Sequence, residues 1–410
     1  MESHGAARTS RTVRTEEQRQ QDLIKINKYR ELEDSIRAQV SANRYDASLF
    51  QLTSKLLRLN PEYYTIWNVR RRCLISGLLS APSDGSSPSK ASPSTSRSDA
   101  TNQPSDLSSL SSSDATQRGR DSPTAGKSGT IVDDKGGEET TNGDVDLLKT
   151  ELAFTIPLLL EFPKCYWIWK YRKWLLEQST LRLHATAARQ IWEAELGLAS
   201  KMLTKDRRNF HAWGYRRYVV AALESPSLGG KSMVEDEFTY TTKMIHGDLS
   251  NFSAWHNRSQ LISRLLQERG ADVAARRAFL DEELEIIQGA LNVGPEDQSL
   301  WYYHQYMVSQ IISHSDDSAI APALTIAERV AYLRKEIDWI KDLLEDYTDT
   351  KWIYEALLEY TIALKSLARH GSEHVQIEDP SKWLAKVRAL DPMRAGRWND
   401  VGKQLGANQY

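Results

Sequence analysis

The chain has 410 residues with 53 basic and 55 acidic side chains, a formal net charge of −2, and so lacks the basic excess of a general nucleic-acid binder. Two cysteines, Cys73 and Cys165, are too few for a disulfide framework or a cysteine zinc site and fit a reducing compartment. No apolar run approaches the roughly 18 residues of a membrane span, and the polar start MESHGAARTSRTVRTEEQRQ has no secretory core, so a soluble cytoplasmic protein is expected.

In chain order, residues 1–20 read as a mobile polar tail. Residues 21–79 hold a helix, KINKYRELEDSIRAQ, and a first helical hairpin. That hairpin consists of the apolar-periodic ASLFQLTSKLLRLN, a turn at Pro61, and the helix of PEYYTIWNVRR. Residues 80–146 change character. The stretch SAPSDGSSPSKASPSTSRSDATNQPSDLSSLSSSDATQRGRDSPTAGKSG and its acidic continuation have almost no aromatic residues. Such a segment cannot bury enough apolar area to offset its ordering entropy, which predicts a disordered insertion. Its Ser-Pro pairs suit phosphorylation, but a tolerated loop expansion is the favoured reading.

Residues 147–410 return to the first pattern. Lined up on tryptophan, the segments read PKCYWIWKYRK, RRNFHAWGYRR, LSNFSAWHNRS and PEDQSLWYYHQ after PEYYTIWNVRR. The aligned residues are Trp67, Trp169, Trp213, Trp255 and Trp301. Three residues earlier stand Tyr64, Tyr166, Phe210 and Phe252, with Gln298 in the last copy. Three residues later stand Arg70, Arg172, Arg216, Arg258 and then His304. A degenerate sixth copy, DYTDTKWIYEALLEY, aligns on Trp352 with Glu355 at the arginine place, and DPMRAGRWNDV around Trp398 is a last remnant.

From Trp169 to Trp352 the tryptophan spacings are 44, 42, 46 and 51 residues; the 102 from Trp67 to Trp169 reflects the insertion. Positions three apart share a helix face, so aromatic, tryptophan and arginine are expected to form one packing ridge. Each arginine should bridge neighbouring hairpins with its guanidinium against a ring. An apolar-periodic segment precedes each ridge, as in ELAFTIPLLLEF and IWEAELGLASKMLTKD. The pattern predicts an all-α fold: an α-α superhelix, or solenoid, of six to seven helical hairpins. The period is too long for tetratricopeptide repeats, which run at about 34 residues. Nucleic-acid stacking platforms are disfavoured because the aromatics recur at packing positions.

The Asn/Pro-x-x-aromatic-x-x-Trp-x-x-Arg pattern resembles the α subunit of protein prenyltransferases, over essentially all of the chain outside 80–146. Within that family DRRNFHAWGYRRYVV, LSNFSAWHNRSQLI, PEDQSLWYYHQYMV and LDPMRAG are similar to the branch of Rab geranylgeranyltransferase, type II. The early His4-Gly5 followed by KINKYRELEDSIRAQ resembles its amino terminus. No segment after Tyr410 matches the immunoglobulin-like and leucine-rich domains of animal members, so a minimal fungal-type form is expected.

The resemblance implies a heterodimer. A β subunit would carry the catalytic zinc and most of the isoprenoid pocket, and this chain would bind no cofactor of its own. The substrates implied are geranylgeranyl diphosphate and Rab GTPases presented by an escort protein. The family's diphosphate-facing lysine, in a Pro-Lys-x-Tyr sequence, falls on Lys164 in Pro163-Lys164-Cys165-Tyr166. The other copies hold Glu62, Arg208, Ser250 and Glu296 at that place, so packing does not dictate the residue there. A turn that opens a helix also offers an anion free N–H groups. Tyr166 is expected either to pack as a ridge residue or to turn its hydroxyl to the pocket. His211 is a candidate for facing the β subunit. His4 is either an untethered histidine or a self-inhibiting visitor to the partner's zinc, since a neutral imidazole can fill an open zinc position. Two other readings stay open. One is the α subunit shared by farnesyltransferase and the type I enzyme. The other is a non-catalytic scaffold of stacked hairpins.

Overall fold

The computed structural model of the chain describes residues 15–82, 135–313, 319–369 and 377–407. These residues are helical, with no strand among them. Helix α1 (Glu16–Ser41) precedes seven helical pairs. They are α2 (Ala47–Leu59) with α3 (Tyr64–Cys73), α4 (Lys135–Glu161) with α5 (Tyr166–Arg182), and α6 (Ala185–Lys205) with α7 (Phe210–Leu223). Next come α8 (Val234–Gly247) with α9 (Phe252–Glu268) and α10 (Val273–Val293) with α11 (Gln298–Ile312). The last two are α12 (Ile326–Asp346) with α13 (Lys351–Arg369) and α14 (Pro380–Leu390) with α15 (Ala395–Ala407). The chain divides into two compact units, one of Met1–Phe154 with Glu177–His184 and one of Thr155–Leu176 with Ala185–Tyr410.

In the first unit, Thr15 and Gln18 form a reciprocal capping box at the start of α1, and Asp46 caps α2 by accepting the Leu49 N–H at 3.0 Å. The Trp67 indole donates to the Pro61 carbonyl six residues back, at 2.8 Å. This bond pins the turn to the helix it opens. Arg70 is buried and reaches Glu151 of α4, with Nε to Oε2 at 2.6 Å. Its guanidinium lies 3.9 Å from the Phe50 ring centre and 4.3 Å from that of Phe154.

The expected insertion, residues 80–146, lies mostly outside the described residues, but its two ends do not. Helix α4 begins at Lys135, inside that span. The Ser80 N–H donates to Asp144 Oδ1 at 3.0 Å, the Ser80 hydroxyl bonds the same carboxylate, and Arg182 donates to the Ser80 carbonyl at 3.0 Å. Ser80 and the Asp144 stretch of α4 are therefore fastened to each other within the first unit.

The second unit repeats one buried motif. Each second helix begins three residues before its tryptophan, and each indole donates to the carbonyl six residues earlier: Trp169 to Pro163, Trp213 to Arg207, Trp255 to Leu249 and Trp301 to Pro295, at 2.7–2.9 Å. The arginine one turn on pairs with a glutamate on the first helix of the next hairpin. Nε–Oε2 distances are 2.9 Å for Arg172–Glu195, 2.8 Å for Arg216–Glu237 and 2.9 Å for Arg258–Glu283. Arg216 lies over the Tyr240 ring and Arg258 over Phe238. In the next copy His304 takes the place, with Nε2 2.8 Å from Glu336 Oε2 and Nδ1 2.8 Å from the Tyr360 hydroxyl. The expected bridging arginines are thus present, each with its ring or carboxylate.

Two expectations need correction. The leading aromatics do not pack with the ridge: Phe210 is 67% exposed whereas Trp213 is 2% exposed, and Tyr64, Tyr166 and Phe252 are exposed too. Each is the first residue of its helix. Side chains lean toward the helix N-terminus, so this one points past the packed body.

The sixth copy does not align on Trp352. Helix α13 starts at Lys351, and the residue three further on, Tyr354, donates its hydroxyl to the Thr348 carbonyl at 2.8 Å, six residues back. Tyr354 therefore fills the tryptophan place, and buried Leu357 fills the arginine place. Trp352 instead lies beside Tyr302, with ring centres 6.0 Å apart. Glu355 therefore does not stand at the arginine place; it pairs with Arg397 at 2.8 Å. Trp398, three residues into α15 and buried, keeps the original register.

Candidate functional site

The N-terminal ends of α5 and α7 bring three of the expected site residues together. The turn Phe162–Cys165 is closed by the Cys165 N–H donating to the Phe162 carbonyl at 3.0 Å. Proline at its second position presets the backbone for such a turn. Lys164 follows with an exposed side chain, its Nζ 3.8 Å from Oδ2 of Asp206 in the α6–α7 turn. Packing leaves this side chain free to meet a ligand, in keeping with the varied residues at the matched places.

Tyr166 opens α5 on the surface. Its ring stands edge-on to Trp167, with centres 5.2 Å apart, and 6.3 Å from the His211 ring; Lys170 Nζ lies 5.6 Å from its centre. Of the two expectations for Tyr166, core packing is excluded by its exposure. His211 is half-buried, and its ring lies tilted by 34° against that of Phe210, with ring centres 3.9 Å apart. A cation, a phenol, an imidazole and exposed ring faces thus share one edge. That set can bind an anion and the apolar chain attached to it.

Asn209 holds this edge in register. Its Oδ1 accepts the N–H groups of His211 and Ala212, at 3.0 and 3.2 Å, which caps α7. Its Nδ2 donates to the Pro163 carbonyl at 3.1 Å, so the cap of one helix also fastens the neighbouring turn beside Lys164. A second group of aromatic rings, ending on buried Trp352, lies at later helix starts of the same unit. Phe252 lies 6.1 Å from both His256 and Tyr302, and Tyr302 lies 6.0 Å from Trp352.

The remaining candidates stand elsewhere. Trp169, Arg172, Trp213, Arg216, Trp255, Arg258, Trp301 and His304 are buried in the second unit and Trp67 and Arg70 in the first; none of them lies on the exposed edge. His4 lies outside the described residues. Among the described residues no group of three or more His, Cys, Asp and Glu side chains is arranged to hold a metal ion, and no helix is long and apolar enough to cross a membrane.

Sequence reasoning missed Asp206, Asn209 and the glutamate partners. The glutamates did leave a trace: in three copies one follows the arginine by 23, 21 and 25 residues.

The repeat has a counterpart among known proteins. The family model described as protein prenyltransferase alpha subunit repeat matches residues 47–76, 148–179, 192–223, 234–265 and 280–311. These are the copies that contain Trp67, Trp169, Trp213, Trp255 and Trp301. The geranylgeranyl transferase type-2 subunit alpha of Schizosaccharomyces pombe is 29% identical over 401 residues, which cover 95% of this chain and 96% of that one. The protein of the same name from Candida albicans is 28% identical, over 95% of this chain and 93% of the other. A chain in the structure of Candida albicans protein geranylgeranyltransferase-I complexed with GGPP superposes with a TM-score of 0.53 over 92% of this chain and 91% of that chain. At 16% identity this last likeness concerns the fold.

Proposed function

We propose that this chain, which belongs to the protein prenyltransferase α-subunit family, is the α subunit of a type-2 geranylgeranyl transferase. Together with a β subunit it transfers a geranylgeranyl group from geranylgeranyl diphosphate to C-terminal cysteines of Rab GTPases presented by an escort protein, in the cytoplasm. The observation that carries the reading is a likeness to type-2 α subunits that runs nearly the full length of both chains.

In such a transfer the cysteine sulfur bonds to C1 of the isoprenoid, the C1–O bond breaks, and diphosphate leaves with the bonding pair. A zinc ion held by the β subunit would supply the chemistry that keeps the substrate cysteine as thiolate. The contribution of this chain lies at the leaving group. Charge builds on the departing oxygens, and a cation already in place stabilises it. Lys164 is proposed for that role because its side chain is exposed on a turn held by Asn209. Tyr166 and His211 are proposed to line the same mouth toward the β subunit.

Co-expression with a type-2 β subunit, followed by prenylation assays on a Rab GTPase and on a CaaX peptide, tests the reading. The expected result is a stable heterodimer that modifies the Rab only when escort protein is present. Escort-independent modification of the CaaX peptide would assign the chain to the other prenyltransferase branch. Failure to pair with any β subunit would leave a scaffold.

A further inference from the structure

Lys164 has a partner with much less freedom than itself. Its Nζ lies 3.8 Å from Asp206 Oδ2, and the lysine side chain is 71% exposed whereas the aspartate side chain is 37% exposed. Asp206 is fixed on several sides. Its N–H donates to the Met202 carbonyl at 3.0 Å as α6 ends, and its own carbonyl accepts the Asn209 N–H at 3.1 Å. Its second carboxylate oxygen, Oδ1, accepts the Arg208 N–H at 3.3 Å. Asn209 then donates to the Pro163 carbonyl at 3.1 Å, next to Lys164. A fixed carboxylate thus faces a mobile ammonium across two turns that are fastened to each other.

An exposed pair at this separation is weak and screened by salt, so it orients the lysine without locking it. A diphosphate carries more charge than one carboxylate and would draw the ammonium away. Once the C1–O bond has broken, the same carboxylate offers the lysine another partner. We infer that Asp206 is a positioning residue: it holds the Lys164 ammonium at the turn between turnovers and takes it back as diphosphate leaves. The inference rests on the reading that Lys164 meets the leaving group.

The test is inhibition of the purified heterodimer by inorganic diphosphate, measured for the native protein, Asp206→Asn, Lys164→Ala and the double variant. Asparagine keeps an oxygen for the Arg208 N–H, so the turn is retained while the charge is lost. Asp206→Asn should lower the inhibition constant about two- to fivefold, the range that an exposed ion pair corresponds to. Lys164→Ala should raise it, and in that background Asp206→Asn should change nothing. If Lys164→Ala leaves inhibition unchanged, the reading of Lys164 fails and the inference falls with it. If Lys164→Ala weakens inhibition but Asp206→Asn has no effect, the opposite effect, or the same effect in both backgrounds, the positioning role alone is overturned.

Discussion

Arg216 and Glu237 meet fork to carboxylate in the interior of the second unit, with Nε 2.8 Å from Oε2, the guanidinium 3.4 Å from the Tyr240 ring centre, and the remaining nitrogen donating to Ser200 at 2.7 Å. Burying both ions is costly, and only this full set of contacts offsets the cost. Removing one partner should therefore hurt far more than removing both. Arg216→Ala should cost about 3–5 kcal/mol in urea unfolding, because it leaves Glu237 buried with its charge uncompensated. Arg216→Met combined with Glu237→Leu should recover most of that loss. A double variant as unstable as the single one would show that the rung is needed for more than charge balance.

Tyr354 provides a test of where the sixth repeat sits. If its hydroxyl does the work of the indole N–H in the other copies, Tyr354→Phe should cost about 1 kcal/mol, the worth of one hydrogen bond. Tyr354→Trp should recover stability, since it restores an N–H donor at the place that tryptophan fills elsewhere. Thermal unfolding of the two variants decides it. An unchanged midpoint for Tyr354→Phe would return the register to Trp352.

Tryptophan and arginine were legible because burial leaves them few substitutes, and their spacing alone located the hairpins. The glutamate partners were harder to see. They sit on a different helix, and the arginine-to-glutamate interval drifts with turn length, reaching 32 residues for His304–Glu336 and 81 for Arg70–Glu151 across the insertion.

The exposure of Phe210 and its counterparts was hidden for another reason. A three-residue period says which residues share a helix face, but not that the helix begins on one of them. Tyr354 is hidden in the sequence because residue identity favours Trp352, whereas the hydrogen bond needs only a donor at the right height. For the site, Lys164 stood out by failing to repeat. Asp206 and Asn209 did not, because their roles depend on one turn lying against another.

Acid should loosen the start of α12. The Glu328 carboxylate accepts from the Thr325 N–H and from the Thr325 hydroxyl, both at 2.8 Å, and pairs with Arg277. These contacts, the Thr325 N–H foremost, bring its pKa down from 4.5 to about 2. A carboxyl with a depressed folded pKa stabilises fully above its unfolded value, and the contribution fades as pH falls through the folded one. Cap stability should thus decline between about pH 4.5 and 2, seen as faster amide exchange in the first turn of α12. Glu328→Gln should abolish that pH dependence. Exchange in this turn that is flat with pH in the native protein would contradict the assignment.

Lys164→Ala separates a chemical role from a structural one. The side chain is exposed and its 3.8 Å pair with Asp206 contributes little to folding, so heterodimer yield and melting temperature should stay at the native level. Turnover should fall about 10- to 100-fold, below the loss typical of a buried oxyanion donor because solvent screens an exposed charge. Lys164→Arg should recover part of the rate, since it keeps the charge but changes its shape. The informative comparison is single-turnover transfer against affinity for geranylgeranyl diphosphate. A cation that acts on the leaving group lowers the first more than the second. A variant that weakens only the affinity would make Lys164 a binding residue, and native rates throughout would move the diphosphate off this edge altogether.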